Sequence, residues 1–427
     1  MLLNKPLVFV LLLNFFFLSF KWMMFLYDSE VTLLTSILTN TTDIQYYPLI
    51  VSLSEFDFNP TFLEYYNNAK IIPVPLASLL VHSIFYKLFN IYSFIILEYI
   101  FHSLLIFILF NIIKKIFDSS SIATLFCILI YIIILFLKTI SNFVEPQIFN
   151  KLYDLLSENF GTRTPRPLVT GIFYFSFLYY IMFFEEKIKN ELNYNYILKI
   201  TLLLGLLANS FIFLFIHSFI FLLIFSIKIM GTKLIEWIKF NYKKFFYFIL
   251  LLVFFLLPIL FQNLYGENDF STRAGLISIG LEKKLFLIKY YLINLLRFEF
   301  IILFLLTLVL NWYLNKKDIA NINTNKINIF FLLTLSSIIS PPIFFILSPQ
   351  IISIFHFLNI MLFSFIFYII LSLFFISYII NFITSCFLYY FTKNYFNFSF
   401  FKHNGILIYF LYNFIIFLYS VSSVKKF

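Results

Sequence analysis

The chain has 427 residues, of which 62% are hydrophobic, 23% aromatic and only 12% charged, with a mean hydropathy of +0.97. A soluble domain of this length would carry roughly a quarter of its residues as charges, so a soluble architecture is excluded and the expected class is an all-α polytopic membrane protein with about 10–12 transmembrane helices. The formal net charge of +10 then belongs to loops lying against anionic lipid rather than to a nucleic-acid surface, and no nucleic-acid partner is expected.

Composition limits what individual residues can mean. With 66 Phe, 8 Gly and four arginines among 30 basic residues, the chain fits the codon drift of an AT-rich genome, so aromatic counts carry little functional weight. Cys127 and Cys386 both lie in apolar runs, which indicates neither a disulfide framework nor a cysteine metal site.

Taken in chain order, the apolar blocks predict spans near 7–27, 91–113, 121–139, 168–184, 198–228, 245–262, 298–314, 328–347, 352–391 and 405–421. The first, preceded by Lys5, reads as a retained signal anchor. Block 198–228 would make a helix of about 46 Å, too long for a core of about 30 Å. Gly205, Asn209, Ser210 and His217 lie in its middle, so two helices that dip and return are expected. Block 352–391 is open between one over-long helix and two.

Lysine sets the expected orientation. With the N-terminus cytoplasmic, as in a bacterial inner membrane, the lysines at 114–115, 187–199, 228–244 and 316–326 all fall inside if 198–228 folds back. Segments 28–90, 140–167 and 263–297 then lie outside, and they hold or border all four arginines: Arg163, Arg166, Arg273 and Arg297. An outer-face site follows. Residues 1–297 are expected to form one membrane module, with outer loop 28–90 containing an interfacial helix at 73–89, and residues 298–427 a C-terminal set of helices.

Asp28 and Glu30 stand at the outer end of the first span. Low-dielectric surroundings raise a carboxyl's proton affinity and make it a usable base, and paired hard oxygens would equally hold a divalent cation; acidic residues also simply terminate spans. Glu98 and His102, four apart on one face of the second span, point either to a polar cavity or to a self-satisfied pair in a bundle. Arg163 and Arg166 flank a Pro-stiffened turn, Gly161-Thr-Arg163-Thr-Pro-Arg166-Pro167. Guanidiniums in such a segment suit a lipid-linked phosphate, or headgroup anchoring, and Arg273 offers the same two readings. Arg297 with Glu299 reads as an interfacial pair. Glu145 and Asp154 are acceptor candidates or a solvated face, and His217 and His356 read as satisfied bundle histidines.

Together these features carry a resemblance. One span ending in Asp28-Ser-Glu30, a long outer loop, Pro73-Val-Pro75-Leu76 opening a helix that ends at Tyr86-Lys-Leu-Phe-Asn90, and a second span ending in lysines resemble the N-terminal module of the GT-C integral membrane glycosyltransferases, including the protein O-mannosyltransferases and the aminoarabinose transferases of lipid A. The likeness covers roughly residues 1–230. It implies sugar transfer from a polyprenyl-phosphate donor at the outer face, with Asp28 and Glu30 at the catalytic carboxylate or metal-ligand positions. Where family members often place an Arg-Leu pair this chain has Leu97-Glu98-Tyr99, and where they often place a lysine in the broken pair it has Asn209-Ser210. Cations for the lipid phosphate would therefore come from Arg163, Arg166 and Arg273. A transporter or flippase for a lipid-linked saccharide, or a polymerase, is the competing expectation.

Overall fold

The computed structural model describes residues 5–27, 32–40, 46–57, 76–128, 168–184, 193–265, 280–316, 324–347 and 356–376. All the regular structure among them is helical, and six stretches are long and apolar enough to cross a bilayer: Lys5–Met23, Leu76–Phe117, Ile212–Phe240, Tyr242–Leu260, Lys326–Phe345 and His356–Ile376. A seventh is added if Leu281–Leu295 and Phe300–Asn315, bent by 68°, form one span. The chain is an all-α, multi-pass membrane protein. Met1–Ser372 is one compact unit; of the second, Leu373–Phe427, only the first residues are described.

In chain order the helices are α1 (Lys5–Tyr27), α2 (Leu33–Asn40), α3 (Tyr46–Ser54), α4 (Leu76–Phe89), α5 (Ser93–Phe117), α6 (Ser120–Cys127), α7 (Leu168–Ile181), α8 (Tyr194–Ser210), α9 (Ile212–Met230), α10 (Leu234–Phe240), α11 (Tyr242–Tyr265), α12 (Leu281–Leu295), α13 (Phe298–Lys316), α14 (Thr324–Leu347) and α15 (His356–Ile376). Spans expected at 7–27, 91–113, 168–184, 245–262, 298–314 and 328–347 each find a helix within a few residues. The remainder of 121–139 and of 352–391, and all of 405–421, lie outside the described residues.

Two fold-backs organise the unit. Asn90 takes a positive φ of 51°, the left-handed conformation in which asparagine is among the least strained residues, and the chain reverses there. His82 lies 5.9 Å from the ring of Phe94 and 5.7 Å from that of Phe101, whereas one straight helix would separate them by about 18 and 28 Å. Helix α4 therefore folds back against α5. The second reversal falls at Phe211, whose extended backbone (φ −154°, ψ 93°) separates α8 from α9. Phe184 packs on Tyr196 near the start of α8 and on Phe225 near the end of α9, so these helices run antiparallel, and the dip-and-return expected of block 198–228 is the geometry found.

These reversals gather the lysine-bearing helix ends. The Lys326 ammonium donates to the Lys115 carbonyl (2.8 Å), Lys115 lies over the Phe183 ring, and Lys199 over the Tyr180 ring. At the other end of α5, the segment between α1 and α5 builds a small core of its own. Ile37 of α2, Leu49, Ile50 and Leu53 of α3, and Leu79 of α4 close over Trp22 and Phe94. Three helices thus occupy a segment in which sequence patterning foresaw one.

The interior is aromatic. α15 runs through it, with Phe357 against Phe213, Phe363 against Phe175 and Phe367 against Phe126 and Phe330. Helix α11 is peripheral, with only 6% of its span buried, and is tied to α8 where Gly205 meets Phe255. A Cβ on Gly205 would lie 2.3 Å from the Phe255 Cβ, so only glycine permits this approach.

Candidate functional site

Helix α1 presents Val10, Asn14, Leu18, Lys21 and Trp22 inward, all buried and spaced as one helical face. Near the C-terminal end of α1 this face meets Glu98 on α5. The Lys21 ammonium lies 2.5 Å from Glu98 Oε1, and the Trp22 indole donates to Oε2 at 2.7 Å. Glu98 is 0% exposed, and each of its oxygens has a donor, as a buried carboxyl group requires. The Tyr99 hydroxyl adds a 3.1 Å bond to Ser19 Oγ. Together these contacts fasten α1 to α5 a turn and a half before Asp28.

His102 lies one turn deeper, its Nε2 3.8 Å from Glu98 Oε1, beyond hydrogen-bonding distance. The closest partners of Glu98 therefore come from α1 rather than from His102. Lys21 is the residue that sequence reading missed, although a lysine within an otherwise apolar span was itself a signal of a buried partner. Because Lys21 and Trp22 occupy both carboxylate oxygens, the cluster can hold a helix in place but offers no free base.

Against the same stretch of α5 lies His82 of α4. It is fully buried between Phe94 and Phe101, and neither ring nitrogen has a partner among the described residues. Deeper in the bundle, His217 accepts or donates to Tyr174 Oη (3.2 Å) and Ser336 Oγ (3.3 Å), linking α7, α9 and α14. Which nitrogen carries the proton depends on the tautomer. His356 stacks on Phe213 at 4.9 Å. Both histidines sit within the helical bundle, His217 with a partner on each ring nitrogen, and no group of three or more His, Cys, Asp or Glu side chains able to hold a metal occurs among the described residues.

Asp28, Glu30, Glu145, Asp154, Arg163, Arg166 and Arg273 lie outside the described residues. Arg297 is exposed at the bend between α12 and α13, and the Glu299 side chain is outside the description.

A further feature was not foreseen as a site. Between α4, α8 and α11 lies an open groove of about 430 Å³, lined by Leu76, Ala77, Leu80, Leu202, Gly205, Leu206, Asn209, Phe254, Phe255, Leu257 and Pro258. Asn209 is the one polar side chain in this lining, and its Nδ2 donates to the carbonyls of Gly205 and Phe255, both at 2.8 Å.

The chain matches no protein-family model, no curated protein and no solved structure.

Proposed function

We propose that this protein is a membrane glycosyltransferase that moves a sugar from a polyprenyl-phosphate-linked donor to an acceptor at the outer face. The supporting observation is the clamp on Glu98: Lys21 and Trp22 hold the outer end of α1 against α5, directly before the Asp28-Ser-Glu30 sequence. A rigid helix end is what a catalytic carboxylate needs, since misplacement by an ångström costs orders of magnitude in rate. Two further features agree with the reading: the lysine-bearing ends collect at the opposite pole, and the segment after α1 folds into its own core around Trp22.

In this mechanism Asp28 accepts the proton of the acceptor hydroxyl as that oxygen bonds to the anomeric carbon. The bond from that carbon to the phosphate oxygen breaks, and the phosphate leaves with the electron pair. Arg163, Arg166 and Arg273 neutralise the charge that develops on it. Glu30 orients the site or, with Asp28, binds a divalent cation.

One observation favours the competing class. Lys21, Glu98 and His102 form a buried ionisable cluster, the kind of group that transporters place along a substrate path. Proteoliposomes loaded with labelled polyprenyl-phosphate sugar separate the two. The enzyme is expected to deliver label to a water-soluble or lipid acceptor and to release free polyprenyl phosphate. Movement of intact donor across the bilayer, without release, would establish the transporter instead.

A further inference from the structure

Helix α9 runs antiparallel to α14, since Phe213 packs on Phe344 at 5.5 Å and His217 lies 3.3 Å from Ser336. Continued at the helical rise, that register brings Lys228 level with Lys326, at the pole where the lysine-bearing ends collect. Helix α11 starts there too. It runs parallel to α8, with Tyr247 on Tyr194 at 5.2 Å and Phe255 against Gly205, and the start of α8 is tied to the same pole through the Tyr196 hydroxyl, which donates to the Tyr180 carbonyl. The link between α9 and α11 therefore sits at that membrane surface.

The chain turns out of α9 at Gly231, where a φ of 53° with a ψ of −132° suits only glycine. Beyond this corner come a 3₁₀ turn (Gly231–Lys233) and α10, and no residue of either is buried. Phe240 is 86% and Ile235 66% exposed, and Tyr242 beyond them is exposed as well. Water penalises such side chains, whereas the boundary between headgroups and acyl chains accepts them.

The same stretch is strongly basic. Residues 228–244 hold five lysines, Lys228, Lys233, Lys239, Lys243 and Lys244, against Glu236 alone. Lysine stems lie along apolar chains while their ammoniums reach outward to polar groups. This charge selects the occupant. A second copy of the link would bring five more lysines against these, and a zwitterionic headgroup carries a cation of its own beside its phosphate. An anionic headgroup brings only the complementary charge.

We infer that the α9–α11 link is a docking element for anionic phospholipid, its exposed apolar side chains in the acyl boundary and Lys233, Lys239 and Lys243 on the headgroup phosphates. The lipid in turn anchors the start of α11, a helix with only 6% of its span buried. None of the residues assigned to sugar transfer is involved, so the inference holds whether or not the chain is a transferase.

Trp237, within the link, reads its lipid neighbours. The full-length protein is placed in vesicles of equal amounts of phosphatidylcholine and phosphatidylglycerol, with bromine near the top of the acyl chains of one lipid or the other. Its tryptophan emission is compared with that of Trp237→Phe, which retains Trp22 and Trp312. The emission due to Trp237 is expected to be quenched by both lipids, with phosphatidylglycerol enriched about fivefold around it, the contribution of one lysine near a charged surface. Combining Lys233→Gln, Lys239→Gln and Lys243→Gln, all at exposed positions, is expected to equalise the two lipids while quenching persists. Equal quenching by the two lipids in the unmodified chain, or a preference that survives the glutamines, would overturn the inference. So would quenching by neither lipid, the result for a link that docks a soluble acidic protein instead.

Discussion

Replacing Asp28 with asparagine is expected to slow sugar transfer by about 10²–10⁴-fold, the range of general base catalysis. Asparagine keeps the size and shape of the side chain but cannot take the acceptor's proton, so the acceptor oxygen would have to attack while still protonated. In the proposed mechanism donor binding would rest on the arginines and the lipid chain, so it should change little. The loss should therefore fall on the single-turnover rate at saturating donor rather than on the donor concentration needed for half-maximal rate. An unchanged rate constant would remove Asp28 as the base.

The largest effect on stability is expected at Glu98. Glu98→Leu removes the carboxylate that neutralises Lys21 and receives the Trp22 indole hydrogen, leaving a buried ammonium with no counter-charge. Losing one partner of a buried pair costs about 3–5 kcal/mol. Lys21→Met should do comparable damage from the other side by leaving the carboxylate. In the double variant both charges are gone, and much of the loss should be recovered, because two apolar side chains of similar length pack acceptably where an ion pair stood. Thermal unfolding of the purified protein, followed by tryptophan fluorescence, reads all three. Additive losses in the double variant would show that Lys21 and Glu98 act independently, contrary to their 2.5 Å contact.

The sequence and the structure agree most closely where the bilayer itself dictates the answer. Apolar block lengths located most of the helices, since hydrocarbon demands internally bonded backbone. Gly205 and the polar residues after it marked the break of the long block, which falls at Phe211. Lysine placement anticipated which helix ends lie together, because that sorting depends on charge and lipid rather than on packing. What escaped was tertiary. The partner of Glu98 lies 77 residues away, and no helical spacing joins Lys21 to it; the visible neighbour, His102, proved the weaker contact. Likewise, α2 and α3 are short amphipathic segments whose apolar residues gain a face only when α4 folds back over Trp22. The tie between α8 and α11 is equally invisible in sequence, because the Asn209 amide reaches the Phe255 carbonyl on another helix.

The reading of this chain as a transferase requires Asp28 and Arg163 to share one outer pocket. Cysteines placed at these two positions in an otherwise cysteine-free protein, in sealed vesicles of known orientation, test this directly. The expectation is that a membrane-impermeant maleimide labels both from the non-cytoplasmic face, and that a short bismaleimide joins them within one chain. Labelling from opposite faces, or accessible cysteines that never join, would contradict it.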